Sequence, residues 1–320
     1  MMSHSLPPTG AAQRARSTWA SRPERGSTAL LRFMTWLSLH LGRRATRLVV
    51  YGIAAYFLLF APVERLASRD YLRRALGREP GWRDGFRHIL AFASTIHDRI
   101  YLVNDRFDLF DIAVHGDNLI DAAIDQGRGA FLMGAHMGSF ELMHALGRRK
   151  PRARAAMAMY EDNARKINTM LGAINPAARQ NIIALGHVNS MLYVRDELDH
   201  GGFVGVLGDR TLGDDLAMPV PFLGGTAALP VASFRMAAVL RRPVIFMVGL
   251  YLGGNRYAVH FEPLADFSET PHEQRATAIE AAVARYAVLL ENHCRSAPYN
   301  WFNFFDFWHP PQSSAASSNA

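Results

Sequence analysis

The chain has 320 residues, 49% of them hydrophobic, enough to bury a sizeable core as one large or two small domains. Its formal net charge of +7 and sequence pI near 9.8 suit an acidic partner such as anionic lipid headgroups, nucleic acid or an acidic carrier protein. The single cysteine, Cys294, excludes an intrachain disulfide, so the core chemistry needs no oxidising compartment.

In chain order, residues 1–27 are rich in Ser, Pro, Gly, Ala and Arg, lack any apolar period and read as disordered. No apolar h-region follows the first basic residues, so no cleavable signal peptide is predicted. An uncharged apolar run from Leu48 to Val63 follows Arg43, Arg44 and Arg47. It falls short of the roughly 20 residues of a spanning helix. Leu30 to Leu41 adds a second apolar stretch, broken by Arg32 and His40. Residues 28–80 therefore read as a helical membrane-anchoring segment, with Trp36, Tyr51 and Tyr56 at headgroup level and the arginines on anionic lipid. A pair of buried helices is the alternative.

Ser68 to Asn104 has helical spacing, with Phe86, Ile89, Leu90, Ala93, Ile96 and Ile100 on one stripe. Ile112 to Gly116 reads as a strand and Leu119 to Ile124 as a helix. From Ala130 strands and helices alternate. Strands are predicted at 130–134, 155–160, 182–185 and 203–207, and helices at 164–171, 190–198 and 233–240. Gly253-Gly254-Asn255 marks a hairpin between Val244–Leu250 and Tyr257–Phe261. Glu273 to His293 is an amphipathic helix, and residues 310–320 form a polar tail. Such alternation predicts an α/β fold, with the main domain over 81–309.

The stretch Gly134-Ala135-His136-Met137-Gly138-Ser139-Phe140-Glu141 reads as the end of a buried strand, a glycine turn and a helix N-terminus. On one helix, side chains five residues apart would point about 140° apart. His136 and Glu141 can meet only if His136 stands in the turn. A neutral imidazole there can take a proton from an alcohol while a carboxylate holds the ring. Backbone N–H groups of the turn and helix start could face an oxyanion. The bland reading is a turn histidine beside a helix-start glutamate. With 13 His and 28 Asp+Glu, one such spacing is expected by chance.

Other chemistries lack their motifs. There is no Gly-x-Ser-x-Gly elbow, dinucleotide or phosphate-loop fingerprint, zinc spacing or nucleic-acid recognition module. Cys294 has no local support as a nucleophile.

The His136–Glu141 block resembles the HX4D/E motif of the lysophospholipid acyltransferase superfamily, and within it the bacterial lipid A acyltransferases of LpxL/HtrB-like type. Gly201 to Arg210 is similar to that family's second strand ending in aspartate. Val220-Pro221-Phe222-Leu223-Gly224-Gly225 with Pro230 resembles its "FxG…P" segment, and Pro298-Tyr299-Asn300-Trp301 with Trp308 its C-terminal aromatic block. The resemblance implies a mixed sheet flanked by helices, glycerol-3-phosphate acyltransferase-like, with an N-terminal membrane segment at the cytoplasmic face of the inner membrane. It implies acyl transfer from acyl-ACP or acyl-CoA to a hydroxyl or amine of a lipid or glycolipid, with no cofactor, metal, acyl-enzyme or nucleic-acid partner. His136 would be the base, Glu141 its orienting carboxylate, and Gly138 and Ser139 part of the substrate-binding turn. From their place at a strand end, Asp209 and Arg210 would bind substrate, Arg210 through a phosphate of the donor's phosphopantetheine arm or of the acceptor; an Asp–Arg structural pair is the alternative. The family often has Asp-Gln at this point, so Asp209-Arg210 is a departure that bears on the acceptor. The run Arg148, Arg149, Lys150, Arg152 and Arg154 reads as a docking face for acyl carrier protein or as a solvated turn. An acyl thioesterase and a catalytically inactive lipid-binding membrane protein are the alternative readings.

Overall fold

The structure is a computed structural model that describes residues 28–142, 154–176, 181–187, 189–210 and 216–308. The proposed disordered ends, 1–27 and 310–320, and the basic residues Arg148, Arg149, Lys150 and Arg152 lie outside the described residues.

The centre is a mixed α/β unit with a seven-stranded sheet in the order β1-β9-β8-β2-β5-β3-β4. The strands are β1 (Asp111–His115), β2 (Ala130–Gly134), β3 (Ala155–Tyr160), β4 (Ile182–Leu185), β5 (Phe203–Leu207), β8 (Pro243–Tyr251) and β9 (Arg256–Asp266). All neighbours run parallel except β8 and β9, which form the expected antiparallel hairpin. β2 is buried at every position, as an uninterrupted apolar strand in a sheet covered on both faces must be. Its side chains alternate: Phe131 and Met133 enter one core, Ala130 and Leu132 the other.

Helices α4 (Asn118–Gln126), α5 (Glu161–Ile174), α6 (Ser190–Asp199), α7 (Ala232–Val239) and α8 (Arg275–Ser296) surround the sheet. A hairpin not predicted from the sequence, β6 (Ala217–Phe222) and β7 (Gly225–Pro230), packs beside α8. Leu223 and Gly224, both at positive φ, turn it. Pro219 and Pro221 weaken the strand pattern, but a two-stranded ribbon has outer edges where proline is tolerated.

The N-terminal region is helical: α1 (Thr28–Phe60), α2 (Pro62–Leu76) and α3 (Trp82–Val103). The helical stretch expected over 68–104 is divided after Leu76 by Gly77, which caps α2 in the left-handed conformation. Gly42 interrupts α1 with φ 78° and ψ 165°. Among the described residues no single helix is long and apolar enough to cross a membrane; α1 and α2 together have the composition but meet at a bend of 95°.

One side of α1 is fastened to the body. Val50, Ala54 and Leu58 are buried. Arg43 makes two 2.7 Å hydrogen bonds to the carboxylate of Asp98 on α3, which also accepts one of 2.7 Å from Tyr257 on β9. The other side is apolar and exposed: Leu48 is 76% and Phe60 64% accessible, with Trp36, Tyr56 and Leu59 also open.

Candidate active site

β2 and β5 are parallel neighbours in a register that sets Gly134 opposite Leu207. Two residues beyond each strand end stand His136 and Asp209, so the pairing brings together side chains 73 residues apart. This is the carboxyl edge of the parallel strands, where open α/β sheets place their ligand sites.

The His136 Nδ1 lies 2.8 Å from Asp209 Oδ1, and the His136 backbone N–H donates to Asp209 Oδ2 at 3.0 Å. The Trp301 indole N–H donates to the same Oδ2 at 2.9 Å. Asp209 is fully buried. Burial alone would raise its pKa, but His136, Arg210 and Trp301 hold it well below the usual carboxylate range. An ionised Asp209 requires a proton on Nδ1, which leaves the Nε2 lone pair of His136 available. The imidazole is about one-third exposed, at 34%. Burial and then the Arg210 charge lower its pKa, against the opposing pull of Asp209, so the ring favours the neutral form.

The turn after β2 is gripped on both sides. Gly138 has φ 66°, and a Cβ there would run into the carbonyl oxygen of Gly249 on β8. Its N–H donates to Asn300 O at 2.8 Å, and the Ser139 N–H to Gly249 O at 2.7 Å. Asn300 is itself pinned to the end of β8: its Oδ1 accepts from Tyr251 N–H at 2.7 Å and its Nδ2 donates to Tyr251 O at 3.1 Å. His88 on α3, kept neutral by burial with its pKa lowered to about 4, bridges Ser68 on α2 and the Trp301 carbonyl at 2.7 and 2.8 Å.

Two sequence expectations are corrected by this geometry. The carboxylate on the His136 ring is Asp209, not Glu141. Glu141 Oε1 contacts Arg99 Nε at 2.5 Å and its Oε2 accepts from Ser139 Oγ at 3.0 Å. Glu141 starts the segment that turns into a helix at Leu142, and it faces α3 instead of the ring. Nor does the turn present backbone donors from His136 to Ser139 to an oxyanion. The N–H groups of His136, Met137, Gly138 and Ser139 donate to Asp209 Oδ2, Ala135 O, Asn300 O and Gly249 O.

His136, Glu141 and Arg210 border one cavity of about 750 Å³, together with Arg99, Lys166 and mainly apolar side chains such as Phe92, Ile96, Met157, Met191 and Met236. Size and lining match sites for ligands with a large apolar part. Arg210 donates to Phe302 O at 3.0 Å and its guanidinium lies 5.1 Å from the Phe305 ring centre. Among the described residues no group of three or more His, Cys, Asp and Glu is placed to hold a metal ion. Arg99 and Asn300 carried no signal in the sequence beyond, for Asn300, its place in the aromatic block.

A buried carboxylate on a neutral imidazole, at the mouth of an apolar cavity, is an arrangement that can activate a hydroxyl beside a fatty chain. No curated protein matches the chain. The family model for bacterial lipid A biosynthesis acyltransferases matches residues 90–309, from within α3 through the C-terminal segment that holds Trp301, and so includes His136, Asp209 and Arg210 and more than half of the sequence. The chain therefore belongs to the bacterial lipid A biosynthesis acyltransferase family and is an acyltransferase.

Proposed function

We propose that the protein is an LpxL/HtrB-like enzyme. It moves a fatty acyl group from acyl-ACP to a hydroxyl or amine of a lipid or glycolipid acceptor at the cytoplasmic face of the inner membrane. The observation that carries this reading is the His136–Asp209 pair opening on the apolar cavity. Nε2 of His136 takes the acceptor's proton as its oxygen or nitrogen bonds to the thioester carbonyl carbon. Asp209 holds the ring and stabilises the imidazolium. The C–S bond then breaks, and the imidazolium returns the proton to the leaving thiolate. No acyl-enzyme is formed and no cofactor enters a step.

Attachment to the membrane rests on the exposed apolar side of α1 and α2. Because the opposite side of α1 is bound to α3 and β9 through Arg43, Asp98 and Tyr257, the segment suits lying in the interface better than crossing it. Glu64 of α2 lines the cavity beside Phe92 and Ile96 of α3, so one of the helices read as membrane-facing shares a wall with the site. A lipid acceptor would then reach His136 without leaving the interface. The acidic carrier fits the basic balance of the chain.

Incubating the purified protein with acyl-ACP, with and without lipid A precursors or phospholipid vesicles, tests this function. Acyl-lipid product should form only with acceptor, with little free fatty acid. Free fatty acid released at the same rate with or without acceptor would make the protein a thioesterase, and binding without turnover a lipid-binding protein.

A further inference from the structure

Attack on a thioester drives a pair of electrons onto the carbonyl oxygen, and donors aimed at that oxygen are commonly the largest single contribution to such catalysis. In many acyl-transfer sites these donors are backbone N–H groups in the turn beside the base. Here the four successive N–H groups from His136 through Ser139 already donate within the protein. A side chain bordering the cavity can meet the charge on the oxygen instead.

Three such side chains are cationic: Arg99, Lys166 and Arg210. Arg99 is committed to Glu141 at 2.5 Å. Lys166, at the cavity border, is solvent-exposed, where water screens its charge. Arg210 follows Asp209 directly in the chain. It donates to Phe302 O, and the N–H of Phe302 donates to His136 O at 2.9 Å, so the guanidinium is tied to the backbone of His136 through a single residue. Phe305 lies beside it.

We propose that Arg210 is a catalytic residue whose guanidinium stabilises the oxyanion of the tetrahedral intermediate; this rests on the reading of His136 as the base. As the acceptor bonds to the carbonyl carbon, the C=O pair moves onto oxygen and meets the Arg210 N–H groups. When the C–S bond breaks, the pair returns to the carbonyl and the thiolate leaves with the proton carried by His136. A desolvated guanidinium acts more strongly on such a charge than one in water. Burial, which also pulls the Arg210 pKa down, places it in that situation while leaving it charged. This is a different role from holding a substrate phosphate, which would act on binding.

The test compares Arg210→Gln and Arg210→Lys with the wild type, using acyl-ACP and a fatty acyl N-acetylcysteamine thioester, which carries no phosphate. Arg210→Gln should lower kcat by about 10²–10³-fold with both donors, the usual loss for one oxyanion donor, with KM within a few-fold. Arg210→Lys should recover part of the rate. A raised KM with kcat kept, vanishing with the phosphate-free donor, would overturn the proposal in favour of phosphate binding, and so would a wild-type kcat. If Arg210→Gln fails to fold by near-ultraviolet circular dichroism, Arg210→Lys decides by the same kcat-against-KM split. His136→Ala run alongside separates the two claims. An inactive His136→Ala with an active Arg210→Gln overturns only the role of Arg210, whereas an active His136→Ala removes the base on which that role depends.

Discussion

At the scale of single residues, Asp209 takes the place on the His136 ring that the chain order suggests for Glu141. Asp209 accepts from the ring, the backbone and the indole, so Asp209→Asn should cost on the order of 10²–10⁴-fold in kcat by losing both tautomer and imidazolium support. Glu141→Gln leaves the ring's partner in place and should cost less, chiefly through Arg99. Steady-state rates of the two variants check this, and a larger loss at Glu141 than at Asp209 would reverse the assignment. Protonation of His136 abolishes the base, so activity should fall on the acid side. Because burial and Arg210 lower its pKa, that limb should lie below the ordinary histidine value near 6.5. The pH profile of kcat/KM measures it. His136 was legible because glycines and an apolar strand surround it. Its partner was not, because spacing along the chain cannot see a register that joins residues 73 positions apart.

At the scale of elements, the turn after β2 depends on its clamps. Gly138→Ala places a Cβ against the Gly249 carbonyl at a positive φ. It should cost on the order of 2–4 kcal/mol from strain and overpacking. Gly127, the left-handed cap of α4, has open space around it, so Gly127→Ala should cost only about 1 kcal/mol. Denaturant midpoints compare the two, and equal losses would mean that the turn is not held as described. The sheet strands were readable where apolar runs end in glycine, as at Ala130–Gly134 and Phe203–Leu207. The β6–β7 hairpin was hidden by prolines that a free strand edge accepts. The division between α2 and α3 lay in Gly77, whose capping role was masked by helical spacing on both sides.

For the molecule as a whole, the N-terminal helices carry two opposed faces, and composition alone gave only their sum. Arg43 reads in sequence as a lipid-facing charge, yet it is spent on Asp98 inside the protein. The exposed Trp36, Tyr56, Leu59 and Phe60 are the ones available to a bilayer. Replacing Tyr56, Leu59 and Phe60 by serine should release the protein from anionic vesicles in a flotation assay with its thermal unfolding little changed. Retained flotation would place the attachment elsewhere. The family match over 90–309 contains the His136–Asp209 pair and the Asn300 and Trp301 contacts that hold it.

Every step of the proposed acyl transfer depends on His136 as the base. The most direct measurement is the single-turnover rate of acyl-lipid formation by His136→Ala, with saturating acyl-ACP and acceptor and with native folding verified by circular dichroism. The rate should fall by about 10²–10⁴-fold, and Asp209→Asn added to His136→Ala should lower it little further, because the carboxylate acts through the ring. A folded His136→Ala enzyme that forms product at close to the wild-type rate would contradict the mechanism.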